Sequence, residues 1–105
     1  MSVVSVYCVF ADGPEAERVG RAMVEERLAA CINILEPCRS IYRWQGKVEE
    51  AREVPAIFKT AADLADRLIV RVAELHSYDN PAIVVWPIDR LPALYGDWVE
   101  AAVSD

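Results

Sequence analysis

The sequence has one histidine, four glycines and three cysteines among 105 residues, and each shortage excludes a class of protein. With a single histidine, and with six residues between Cys31 and Cys38, no spacing matches a structural tetrahedral zinc site. An odd number of cysteines does not suit a disulfide-stapled secreted scaffold, so reduced thiols in the cytoplasm are expected. The four glycines form no phosphate-cradling loop, no G-x-S-x-G elbow is present, and Ser40, Ser77 and the thiols have one imidazole to share. No catalytic residue and no organic cofactor is expected, and the chain reads as a non-enzyme. Basic residues are also short: 11 Lys and Arg face 17 Asp and Glu, for a formal charge of −6. Binding to a phosphate backbone needs clustered cations, so nucleic acid is excluded as a partner. The apolar start, Val3–Phe10, follows no basic residue and is far shorter than the ~20 residues of a membrane span. Neither a membrane anchor nor a signal peptide is expected there.

Apolar side chains, by contrast, are plentiful, at 54% of the residues. A domain of this length keeps much of its surface in contact with solvent, so a surplus of apolar side chains points to association between copies. No repeat, low-complexity tract or linker divides the chain, and residues 1–105 read as one domain.

Periodicity gives the elements. VVSVYCVF is a central strand with Val4, Val6, Cys8 and Phe10 on one face and Tyr7 and Val9 on the other. Asp12, Pro14 and Glu15 form a helix start of the capping-box type, and Ala16, Val19, Met23 and Leu28 form the buried stripe of that helix. A second strand covers 30–35 and resumes after Pro37 as far as Trp44. The chain turns at Gln45-Gly46 and returns over 47–60, so both arms of this hairpin exceed the usual 5–6 residues. Cys31 is expected to be buried beside Ile32 and Ile34. Thr60 to Asp63 reads as the cap of a second helix carrying Leu64, Leu68, Val72 and Leu75, and PAIVVWPI as the last strand. Leu94, Trp98 and Ala102, four apart, mark the inward stripe of a closing helix. The fold class is α+β: a ferredoxin-like βαββαβ sandwich with an extra C-terminal helix. Pro55 cannot donate to a ladder, so a bulge or an unpaired edge is expected beside it.

Two readings stay open for the chemistry-bearing residues. Cys8 is either core packing or a thiolate suited to a soft metal, and His76 is either a helix terminus partner or an imidazole ligand, with Asp79 three residues away.

Three clusters carry a resemblance across nearly the whole chain: ERLAACINI at 26–34, SIYRWQGKVEE at 40–50 followed by EVPAIFKT, and HSYDNPAI at 76–83. They resemble the CutA divalent-cation-tolerance family, with its L-A-A-C-x-N, Y-x-W-x-G-K, I-x-K-T and H-P-Y-x-x-P-E signatures. The resemblance implies a cytoplasmic, non-catalytic homotrimer whose long hairpin joins neighbouring copies, with Tyr42 and Trp44 as anchors. It also implies a part in the response to metal ions, with copper or another divalent cation bound by Cys8, His76 and Asp79. Ser77 stands where the family has proline and Ala82 where it has glutamate. The alternatives are a PII-like trimer that senses a ligand between subunits, or a trimeric scaffold for a protein partner.

Overall fold

A computed structural model describes residues 2–104. The chain runs β1 (Val3–Phe10), α1 (Gly13–Glu25), β2 (Cys31–Ile34), β3 (Cys38–Trp44), β4 (Lys47–Ala61), a 3-10 turn (Ala62–Leu64), α2 (Ala65–Leu75), β5 (Ile83–Pro87) and α3 (Ala93–Ala102). The strands form one antiparallel sheet in the order β2-β4-β1-β5, and β3 adds to the outer half of β4 on the side where β2 pairs the inner half.

The central position of β1 follows from its composition. Val4, Val6, Cys8 and Phe10 are buried under α1 and α2, where they meet Ala16, Val19, Met23, Leu68 and Val72 from the helices and Phe58 from β4. The Asp12 carboxylate accepts from the Glu15 amide at 2.8 Å, as its sequence position requires of an N-cap. The Glu15 side chain does not close the box on Asp12; it reaches one residue further, to the Ala11 amide at 2.9 Å. α1 ends on Arg27 in the left-handed region (φ 59°), which turns Leu28 back into the core.

Four expectations are corrected. Thr60 is no helix cap: β4 continues to Ala61, and the buried Thr60 hydroxyl donates to the Leu28 carbonyl at 2.7 Å, so its local bonding potential is spent across the sheet. Cys31 does not lie beside Ile32 in the core, because alternation along β2 turns it toward α3, where its sulfur lies 3.9 Å from the Tyr95 hydroxyl. Ile34, at the end of the same edge strand, is exposed. In α3 the inward residue is Val99, which with Tyr95 and Ala102 covers Val3 and Ala30 on the sheet face opposite α1 and α2. Leu94 is 83% exposed and Trp98 49%, so of the stripe chosen by spacing Ala102 alone turns inward.

Pro55 is buried and pairs with Val9 without disturbing the β1 ladder. Its carbonyl accepts from the Leu35 amide at 3.0 Å, so its nitrogen, on the same edge of the strand, faces the β2–β3 connection. There Ile34 pairs with Ala56 and Cys38 with Glu53, four steps of chain against three. The extra residue lies in the partner strand, opposite the place where proline has no N–H to offer.

β4 has two environments. From Val54 onward it lies inside the sheet, whereas its first seven residues pair only with β3 and project as a two-stranded ribbon. The ribbon closes at Gln45 and Gly46 with both φ angles positive (49° and 79°), the two-residue turn that matches strand twist. Ile41, Trp44 and Val48 on it are 65%, 58% and 66% exposed. The radius of gyration of 14.3 Å and a long axis of 45 Å reflect this extension, since a compact chain of this size has a radius near 13 Å.

Gly20 packs α1 directly on β2. A Cβ there would lie 2.6 Å from Ile32 Cδ1 and 2.9 Å from its Cγ2. Gly20→Ala should therefore destabilise the fold by about 1–3 kcal/mol in chemical denaturation. Adding Ile32→Val, which removes Cδ1, should recover part of the loss; a larger deficit in the double variant would contradict the close-contact explanation.

Candidate metal centre

Val9 is the last residue of β1 that β5 can serve, and only through its amide, which donates to the Ala82 carbonyl at 3.2 Å. The Val9 carbonyl lies beyond the paired part of β5, and His76 fills the vacancy. The imidazole Nε2 lies 2.8 Å from that oxygen, while Nδ1 accepts from the Tyr78 amide at 3.0 Å. One ring nitrogen therefore donates and the other accepts, which fixes a neutral Nε2–H tautomer. The ring stacks on Phe10 at 5.1 Å between centroids and lies under the tilted ring of Tyr78 at 4.9 Å.

Glu15 completes the arrangement. Its carboxylate accepts from the Ala11 amide at 2.9 Å and the Ser77 amide at 2.7 Å, and lies 4.0 Å from His76 Nδ1 and 3.9 Å from Arg18. Burial alone would raise its pKa, but the hydrogen bonds from Ser77 and Ala11 hold the carboxyl below its ordinary value. Tyr78 extends the network outward: its hydroxyl donates to Glu53 at 2.7 Å where the ribbon leaves the sheet. Burial, the Glu53 bond and neighbouring negative charge push this phenol up to about 12.

Of the residues expected to bind a metal, Cys8 and His76 converge on the Val9 carbonyl, the thiol as a weak donor at 3.9 Å. Asp79 is exposed and forms no hydrogen bond or ion pair with either. The set does not fit a cation as it stands. Metal ligation needs a thiolate, yet burial, with the charge of Glu15 adding to it, pushes the Cys8 thiol up to about 12. Neither His76 nitrogen has a free lone pair. Among the described residues no group of three or more His, Cys, Asp or Glu is placed to hold a metal ion. Sequence reasoning saw Glu15 only as a capping residue and passed over Tyr78. Their partners, Ser77 and Glu53, lie 62 and 25 positions away, where no local pattern signals them.

With this geometry in hand, relatives identify the lineage. The family pattern described as CutA1 divalent ion tolerance protein matches residues 4–102. The chain is a member of the CutA1 divalent ion tolerance family. It is similar to the divalent-cation tolerance protein CutA of Pyrococcus horikoshii, 43% identical over 97 residues covering 92% of this chain and 94% of that one. The CutA of Thermus thermophilus is 45% identical over 84 residues, 80% and 82% of the two chains. Among solved structures, CutA from Xylella fastidiosa superposes with a TM-score of 0.96 at 33% identity, covering 99% of this chain and 100% of that one. CutA from Archaeoglobus fulgidus, described as periplasmic, gives 0.94 at 34% identity over 97% and 99%. The CutA architecture thus includes the antiparallel sheet and three helices found here. Among the described residues no helix is long and apolar enough to cross a membrane.

Because the folded-state pKa of Glu15 is lowered, its contribution to stability is present above the ordinary carboxylate value of 4.5 and is lost as pH falls through the folded value. Glu15→Gln should lower stability at pH 7 and flatten the decline below about pH 4.5, read from melting temperature against pH. An unchanged acid limb in the variant would contradict this role.

Proposed function

We propose that this CutA1 family member acts as a homotrimer in divalent-cation tolerance, and that the β3–β4 ribbon is its assembly element. One observation carries the reading: a two-stranded ribbon with no helix over it exposes Ile41, Trp44 and Val48 to solvent in the single chain. Ribbons of two strands are barely stable alone in water, and large aromatic side chains are efficient anchors once desolvated. A ferredoxin-like reading of the strand order fits the same picture, since both helices lie on one sheet face and α3 covers only one end of the other. Copies of the chain are the natural cover for the rest.

In this proposal copper or another divalent cation binds in clefts between subunits, with ligands drawn from more than one chain. We read the protein as a non-enzyme, a reading supported by its one imidazole, which bonds Val9 and Tyr78 and not a nucleophile. Three free cysteines favour a reducing compartment, and we place the protein in the cytoplasm.

Sedimentation velocity at micromolar concentration should give a species of three chains. Replacing the two ribbon anchors, Tyr42→Asp with Trp44→Asp, should shift it to smaller species while far-UV circular dichroism keeps the folded signature. A folded wild-type monomer would overturn the proposal. Calorimetric titration with Cu(II) and Zn(II) should give saturable heat for the trimer, and the absence of any would remove the cation from the reading.

A further inference from the structure

We infer that Glu15, His76 and Tyr78 form a latch that ties the 76–80 loop to the end of β1 and to the root of the ribbon, and that the latch occupies the positions a cation at Cys8 and His76 would need. The chain leaving α2 at His76 has no strand partner until Ala82, whose carbonyl accepts from the Val9 amide, so the stretch between is held by side chains. Glu15 supplies the first tie: one carboxylate accepts amides from both loops, Ala11 after β1 and Ser77 after α2. His76 supplies the second, from Val9 at the edge of β1 to the amide of Tyr78. Tyr78 supplies the third, with its ring over the imidazole and its hydroxyl on Glu53. Glu53 pairs with Cys38, where the extra residue of the β2–β3 connection has just been absorbed, so the last tie lands where β4 leaves the sheet.

This arrangement explains why two ionisable residues are tolerated in the core. Every polar side-chain atom buried among the described residues has a partner, and for Glu15 and His76 the partners are the backbone groups of Val9, Ala11, Ser77 and Tyr78. A metal ion on Nδ1 would displace the Tyr78 amide. One on Nε2 would take the proton that serves Val9. Either choice leaves a partly buried peptide group without its partner, and Cys8 would have to surrender its proton as well. His76 is thus a positioning residue for the loop, and the ribbon inherits its exit direction from Tyr78. The use made of that direction rests on the assembly proposed above; the closure to cations does not.

Glutamine at position 76 separates the two roles, because its carboxamide offers both a donor group and an acceptor but is a poor metal ligand. Residue-resolved hydrogen exchange on the full chain should find the amides of Ser77 and Tyr78 close to wild type in His76→Gln and roughly tenfold faster in His76→Leu. Tyr78→Phe, which removes one hydroxyl from an exposed side chain, should loosen the amides of 51–53 and leave Ser77 protected. Should His76→Leu not fold, the Tyr78→Phe pattern decides alone. In parallel, titration with CuCl2 and with ZnCl2 should give the same isotherm for wild type, Cys8→Ala and His76→Gln. Stoichiometric binding that disappears in both variants would overturn the inference, as would equal loosening of Ser77 in His76→Gln and His76→Leu, or unaltered exchange at 51–53 in Tyr78→Phe. Sedimentation of the same samples keeps the readings apart: a wild-type monomer with an intact exchange pattern removes the assembly and leaves the latch standing.

Discussion

The structure depends on one constraint, that β4 is a single strand of fifteen residues asked to live in two environments. Its second half lies between β1 and β2, where Val54, Ala56, Phe58 and Thr60 face the helices. Its first half has β3 on one side and solvent on the other. A strand cannot change its hydrogen-bonding partners without a break somewhere, and the break falls opposite Pro55, where no donor is needed. Proline thus marks a border inside a strand that is continuous in backbone terms.

The border determines what surrounds it. β2 and β3 share one edge of β4 with a one-residue offset, so the sheet can be closely packed on one side of Pro55 and an open ribbon on the other. Glu53 and Tyr78 meet at that point, and from Tyr78 the polar network runs inward through His76 to Glu15. His76, whose type suggests metal chemistry, lies in the middle of this network.

Much of the fold was legible in the sequence because it was written locally. Unbroken β-favouring residues placed β1 at the centre, Asp12 announced α1, and Gln45-Gly46 announced the hairpin. The misjudged positions share a cause, which is that a local period leaves direction open. In α3, Leu94 and Trp98 are spaced four apart just as Tyr95 and Val99 are, and only the location of Val3 and Ala30 decides which pair turns inward. In β2, alternation separates Cys31 from Ile32 without saying which faces the helices. Thr60 has the chemistry of a cap, yet the Leu28 carbonyl across the sheet claims its hydroxyl. For the candidate site, the inward position of Cys8 could be read, but the Val9 carbonyl that engages His76 is brought to it by the tertiary fold, and the Tyr78 amide by a loop turn that no residue pattern marks. The motifs gave the lineage, and geometry was needed to see what the motif residues do.

The central claim is that the outer half of β4 is completed by other copies of the same chain. Its most direct test is residue-resolved hydrogen exchange along β4 over a dilution series. The account predicts that amides in 47–53 are protected at high concentration and lose protection on dilution, while those in 54–60 keep theirs. Ribbon amides that exchange freely at every concentration, or that stay protected in a sample of single chains, would contradict it.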